Sequence, residues 1–174
     1  MKRFDVGSDV ILSRTPVRVS FCGGGTDLET FWGAYPEGGA VTSMAISSHI
    51  YVLLNQRFES SIRVAYTKTE IVESIDDLEH ELVREALREA DLTSHIEVVT
   101  IADIPSRGSG LGSSSTLTVG LLNAVHGWNG QQQGPEALRR CREEIRRSAG
   151  EGPDHRRAIG LRQDGGGPAG GVVG

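Results

Sequence analysis

Two glycine-rich stretches hold the residues of this chain best suited to chemistry. One reads Gly23-Gly24-Gly25-Thr26-Asp27, with Arg14 and Arg18 shortly before it; the other reads Gly108-Ser109-Gly110-Leu111-Gly112-Ser113-Ser114-Ser115. In the second, glycines at alternate positions let the backbone turn tightly and approach a ligand without interference from a Cβ atom. The serines behind them supply a cap and, at the start of a helix, unpaired N–H groups where the helix dipole favours an anion. That is the physical design of a phosphate cradle, although a plain turn ahead of a capped helix has the same composition. The triple glycine demands either a sharp turn or close contact with a ligand. Thr26 and Asp27 are at the same time ordinary caps for the amphipathic segment that follows.

These loops need elements to hold them. His95 to Ile104 is short and β-branched, as a strand should be, and Leu117, Leu121, Leu122 and Val125 recur at helical spacing. The second loop is therefore framed as strand, glycine loop, helix, with the helix expected over Ser113 to His126. Ile11 to Phe21 alternates around Pro16, which implies two strand pieces or an edge strand broken at the proline. Ile50 to Leu54 and Ser61 to Tyr66 read as strands, and Glu79 to Asp91 as a helix with Leu82, Val83, Ala86, Leu87 and Ala90 on one face. Strands and helices that do not alternate regularly point to an α+β fold.

Three common phosphate or nucleophile motifs are excluded. No Lys-Ser/Thr pair follows the last glycine, the glycine spacing misses the dinucleotide fingerprint, and no serine has the flanking glycines of an esterase elbow. Pro105 followed by Gly110-Leu111-Gly112-Ser113-Ser114-Ser115 resembles instead the nucleotide-phosphate loop of the galactokinase, homoserine kinase, mevalonate kinase and phosphomevalonate kinase (GHMP) superfamily. Here Pro105 stands one residue further from Gly110 than is usual in that loop. Arg14-Thr-Pro-Val-Arg18-Val-Ser-Phe-Cys-Gly23-Gly24-Gly25-Thr26-Asp27 resembles the opening of the branch that phosphorylates heptose 7-phosphate. Gly38-Gly39-Ala40-Val41 fits the same branch.

The resemblance spans about residues 10–127 and implies a two-layer α+β N-terminal domain with a ribosomal-protein-like βαβ core. It implies ATP as phosphoryl donor, with the amides of Gly108 to Ser115 on its phosphates and Ser114 as the hydroxyl on the Mg²⁺ side. On the acceptor side it implies a sugar phosphate, with Gly23 to Thr26 lining the pocket and Asp27 on sugar hydroxyls. Arg14 and Arg18 are then candidates for the sugar's fixed phosphate, since arginine clamps phosphate through two hydrogen bonds. The catalytic carboxylate of the family stands in an Ile-Gly-x-Gln-Asp phrase. Ile159-Gly160-Leu161-Arg162-Gln163-Asp164 offers Asp164 for it, then departs into Gly165-Gly166-Gly167-Pro168.

Composition sets the remaining bounds. Net charge is −5 over 174 residues with no polybasic run, which argues against nucleic acid or an anionic membrane as partner. Two distant cysteines, Cys22 and Cys141, form no disulfide framework and suit a reducing cytoplasm. His49, His80, His95 and His126 show no metal-ligand spacing and read as structural. Lys68 reads as a surface lysine that could also meet a phosphate.

The organisation changes near Gly127. All eight basic residues of 128–174 are arginines, and the last ten residues include six glycines. Pro135 to Arg147 has helical character, but its large apolar residues are only Leu138 and Ile145. Residues 128–174 are thus expected as a degenerate or disordered tail and 1–127 as the ATP-binding domain, without the second domain that usually closes the cleft. Three functions follow: a heptose 7-phosphate kinase; a fucose- or galactose-type sugar kinase of the same superfamily; or an inactive fragment that still binds nucleotide.

Overall fold

The computed structural model describes residues 10–26, 31, 33–35, 37–105, 110–131 and 133–149. Five strands form one sheet: β1 (Val10–Cys22), β2 (Thr42–Gln56), β3 (Ile62–Ala65), β4 (Thr69–Val72) and β5 (Ile96–Ala102). Their order is β1-β2-β5-β3-β4, antiparallel throughout except for the parallel pair β3 and β5. Three helices lie on one face: α1 (Glu81–Glu89), α2 (Ser113–Trp128) and α3 (Pro135–Ser148). This is the two-layer α+β arrangement the sequence implies.

Pro16 does not break β1. The strand continues through it, because β1 is an edge strand and a proline there costs no ladder bond on its open side. The register with β2 slips immediately afterwards, between Pro16 and Arg18. β2 is far longer than Ile50 to Leu54, since its first half, Thr42 to Ser48, is carried by pairing with β1 rather than by apolar residues.

The core sits between sheet and helices. Val52 and Leu54 of β2, Ile62 and Val64 of β3, and Ile96 and Val98 of β5 point into it and meet Leu82, Val83, Leu87, Leu121, Leu122 and Val125 from the helices. α2 is the centre of the helical layer, against β1 and β2 on one side and α1 and α3 on the other. The β3–β4 hairpin is tied to the start of α1 through buried Glu70. The Tyr66 hydroxyl donates to Glu70 Oε1 at 2.7 Å and the Glu79 amide to Oε2 at 2.7 Å. Lys68, exposed, pairs with Glu79.

The boundary drawn at residue 127 does not match the packing. It falls one residue before the end of α2, and α3 folds back onto the domain. Leu138, Cys141, Ile145 and Ala149 recur at helical spacing on one face, and Ile145 and Ala149 are buried in the core. Two large apolar residues suffice here because small ones complete the stripe. Residues 150–174, where Asp164 and the expected disorder fall, lie outside the described residues. No described helix is long and apolar enough to cross a membrane.

Candidate phosphate and sugar site

α2 lies tight along β1 and runs antiparallel to it, and glycines on the helix set how close. A methyl group built at Gly120 would stand 2.8 Å from Thr15 Oγ1 and 3.5 Å from Val52 Cγ2. One built at Gly127 would meet Ile11 Cγ2 at 3.9 Å, and one at Gly112 would meet Arg18 Nε at 3.7 Å. The helix therefore starts beside Arg18, in the half of β1 that leads into the triple glycine.

The start of α2 is shaped by glycines. Gly110 and Gly112 both take left-handed backbone, φ 66° and 68°, which side chains rarely adopt. A methyl group built at Gly110 would meet nothing within 4 Å among the described residues beyond its chain neighbours. Gly112 occupies the N-cap position and, being glycine, offers no side chain as a cap; no acidic residue stands in the first turn. The amides of Ser113 to Ser115 carry the positive end of the dipole. Thr116 N–H donates to Gly112 O at 2.9 Å and Thr118 Oγ1 to Ser114 O at 2.9 Å, which fixes the first turn. Gly108 and Ser109 lie outside the described residues.

The first glycine loop is equally constrained. Gly23 and Gly25 have φ of 78° and 97°, and Thr26 N–H closes the turn on Gly23 O at 3.0 Å. A methyl group at Gly23 would fall 1.8 Å from Ala40 O, and one at Gly39 would fall 1.8 Å from Thr26 O. The segments 23–26 and 38–40 are thus stacked backbone on backbone. The Thr26 hydroxyl lies 2.8 Å from Gly23 O and 3.0 Å from Ala40 O, and its single proton serves one or the other. Thr26 acts as a clamp between these loops, while Asp27 lies outside the described residues.

Arg18 and Ser20 connect the two loops. Arg18 Nη1 donates to Ser20 Oγ at 2.6 Å. A methyl group on Gly24 would reach the Ser20 Cβ at 4.0 Å, and Arg18 Nε flanks Gly112 from the other side. Phosphate cradle and triple glycine converge on this exposed Arg–Ser pair, although 88 residues of chain separate Gly24 from Gly112. Arg14 is not brought there. Ser13 and Val17 are buried under the helical layer and Thr15 touches Gly120, so strand alternation turns Arg14 to the opposite face. Its Nη2 lies 3.5 Å from His49 Nδ1, and the His49 amide donates to Asp103 Oδ2 at 3.1 Å.

Residues 79–156 match the family described as GHMP kinases N terminal domain. Over those residues the chain is similar to that family. Its sequence is 31% identical over 151 residues to a D-glycero-alpha-D-manno-heptose 7-phosphate kinase of Campylobacter jejuni, covering 79% of this chain and 43% of that protein. Its fold matches a D-glycero-D-manno-heptose 1-phosphate kinase from Bacteroides thetaiotaomicron with a TM-score of 0.69 and 28% identity, over 79% of this chain and 48% of that one. A galactokinase of Lactococcus lactis shares the fold alone, with a TM-score of 0.61 and 17% identity over 82% of this chain and 39% of its own. The chain spans between about two fifths and one half of the length of these relatives.

Two features of this site were not legible beforehand. Ser20, sixth residue after Arg14, is an ordinary strand serine in sequence, and only its contact with Arg18 marks it. Ala40 is recognisable only through the glycines that crowd its carbonyl. His80, read as structural, caps α1: its Nδ1 accepts from Val83 N–H at 3.5 Å.

Proposed function

We propose that the chain is the nucleotide-binding half of an ATP-dependent sugar kinase that transfers phosphate to the anomeric hydroxyl of a heptose 7-phosphate. The observation that carries this reading is the convergence of the two glycine loops on Arg18 and Ser20. A kinase must hold donor phosphate and acceptor hydroxyl within near-attack distance, and most of its catalysis is positioning and charge stabilisation. The left-handed glycines and the positive end of the helix dipole fit a triphosphate: amides from Gly110 to Ser115 would take the β- and γ-phosphates. Arg18 stands between cradle and acceptor loop, which suits it to the phosphoryl group in transfer rather than to the distant sugar phosphate. Mg²⁺ on the Ser114 side supplies neutralisation of the developing charge. Gly23 to Thr26 would form the sugar wall, with Asp27 on the hydroxyls and Asp164 as the orienting carboxylate.

The likeness to a heptose 7-phosphate kinase supports heptose over galactose or fucose as acceptor. Taken alone, the chain is expected to bind MgATP weakly and to turn over slowly, because it spans under half the length of the kinases it resembles. Calorimetry of the purified chain with MgATP tests the cradle, and a coupled assay in which heptose 7-phosphate competes with galactose and fucose tests the acceptor. Arg18→Gln should weaken MgATP binding about tenfold or more, the loss of one charge-assisted phosphate contact. Undetectable MgATP binding by the wild-type chain, or full binding by Arg18→Gln, would refute the assignment.

A further inference from the structure

The helices cover one face of the sheet and leave the other without a described element upon it. On that open face a row of apolar side chains crosses the strands: Leu12 pairs with Leu53, Leu53 with Val99, and Val99 with Ala65. Beside this row, Tyr51 pairs with Ile101 on one side, and Val10 and Ile71 flank it on the other. Leu12 is 61% exposed, Ile101 59%, Ile71 60% and Val10 50%, values at odds with a finished surface of large apolar side chains.

We propose that this face is an interface between two copies of the chain, packed sheet against sheet. The charges on the face favour self-association. The whole chain carries −5, yet the ionic groups here are balanced: Arg14 and Arg63 against Glu97 and Asp103. Arg63 and Glu97 already pair with each other, and Asp103 accepts from the His49 amide. Two such faces meet without net repulsion and without burying an unpaired carboxylate among the apolar rows. Packed sheets lie about 10 Å apart with interdigitating side chains, which suits rows of Leu, Val and Ile.

Size sets the strength. Five strands at about 4.8 Å spacing and a paired length of about seven residues give a flat footprint of roughly 450 Å². Stable specific interfaces bury about 800 Å² per partner. The face supplies about half of that, so the dimer is weak, with a dissociation constant in the micromolar range or above. It lies on the side of the sheet opposite α2, and the phosphate cradle stays open in both copies.

Sedimentation equilibrium of the whole chain, with reductant present because Cys22 is exposed, reads the association directly. The expected result is a weight-average mass that rises with concentration from 18.7 kDa toward twice that value. Leu12→Glu and Ile101→Glu should each raise the dissociation constant at least about tenfold and leave far-UV circular dichroism and melting unchanged, since both side chains are already mostly in solvent. Phe58→Ser, at a fully exposed position outside the face, should leave the association intact. A monomer at every concentration overturns the proposal, as does a dimer that survives both glutamates or is lost in Phe58→Ser. If either glutamate variant loses its fold, the other and a milder Ile101→Thr read the same constant.

Discussion

Replacing Gly23 by alanine probes the contact that shapes the acceptor loop. Two costs apply together. An alanine must adopt φ of 78°, which costs about 1–2 kcal/mol for an L side chain. Its Cβ would lie 1.8 Å from Ala40 O, where real Cβ contacts essentially never fall under 3.0 Å, so the two backbones must part by about 1.2 Å. That movement pulls Ala40 O and Gly23 O away from the Thr26 hydroxyl, a further loss of about 1 kcal/mol. The sum is about 2–3 kcal/mol, a shift of roughly 1–1.5 M in the urea midpoint at a typical slope of about 2 kcal/mol per molar. Gly38→Ala is the matched control: its φ is 76°, but no described residue beyond its chain neighbours lies within 4 Å of the added methyl, so it carries the first cost alone. Urea unfolding of both variants separates crowding from strain. MgATP binding should persist in Gly23→Ala because the cradle is carried by α2. Equal destabilisation by the two substitutions would refute the stacked-loop account.

Two further outcomes test the packing. Burial pushes the Glu70 carboxyl up, but the Tyr66 hydroxyl and the Glu79 amide, with Lys68 and His80 nearby, outweigh it and hold the group below its usual range. A depressed folded pKa gives stability that is complete above the unfolded value and lost as pH falls through the folded one. Glu70→Gln should therefore cost about 1–3 kcal/mol at neutral pH, and the gap to wild type should close as unfolding is followed below about pH 4.5. Ile145→Ala should cost about 2–4 kcal/mol by thermal or urea unfolding, since Ile145 is buried against the core; a loss under about 0.5 kcal/mol would return α3 to a loose tail.

The elements that sequence marks well are those whose own residues decide them. The helix expected over Ser113 to His126 runs from Ser113 to Trp128, and that expected over Glu79 to Asp91 runs from Glu81 to Glu89, because glycine, capping and apolar spacing are local signals. β4 was not legible: Thr69-Glu70-Ile71-Val72 has one buried side chain, a glutamate, and exists as a strand through its pairing with β3. The first half of β2 was missed for the same reason. α3 was visible as a helix but not as part of the core, since that depends on where α1 and α2 leave a groove. Its stripe of Leu138, Cys141, Ile145 and Ala149 was the available signal.

The site follows the same division. Each glycine loop was recognisable alone, as backbone that side chains would obstruct. Their convergence was not, because it depends on α2 running antiparallel to β1 at a distance set by Gly120. A helix held further from the sheet would lift the start of α2 away from Arg18. Gly120 is therefore as much a part of the site as Gly112, although it lies two turns inside the helix, beside Thr15 and Val52. The same geometry divides the two arginines. β1 alternation sends Arg14 to His49 on the open face, while the register slip after Pro16 precedes Arg18 on the side of the cradle. Two arginines four residues apart, equivalent by composition, thus acquire unrelated surroundings from one edge strand.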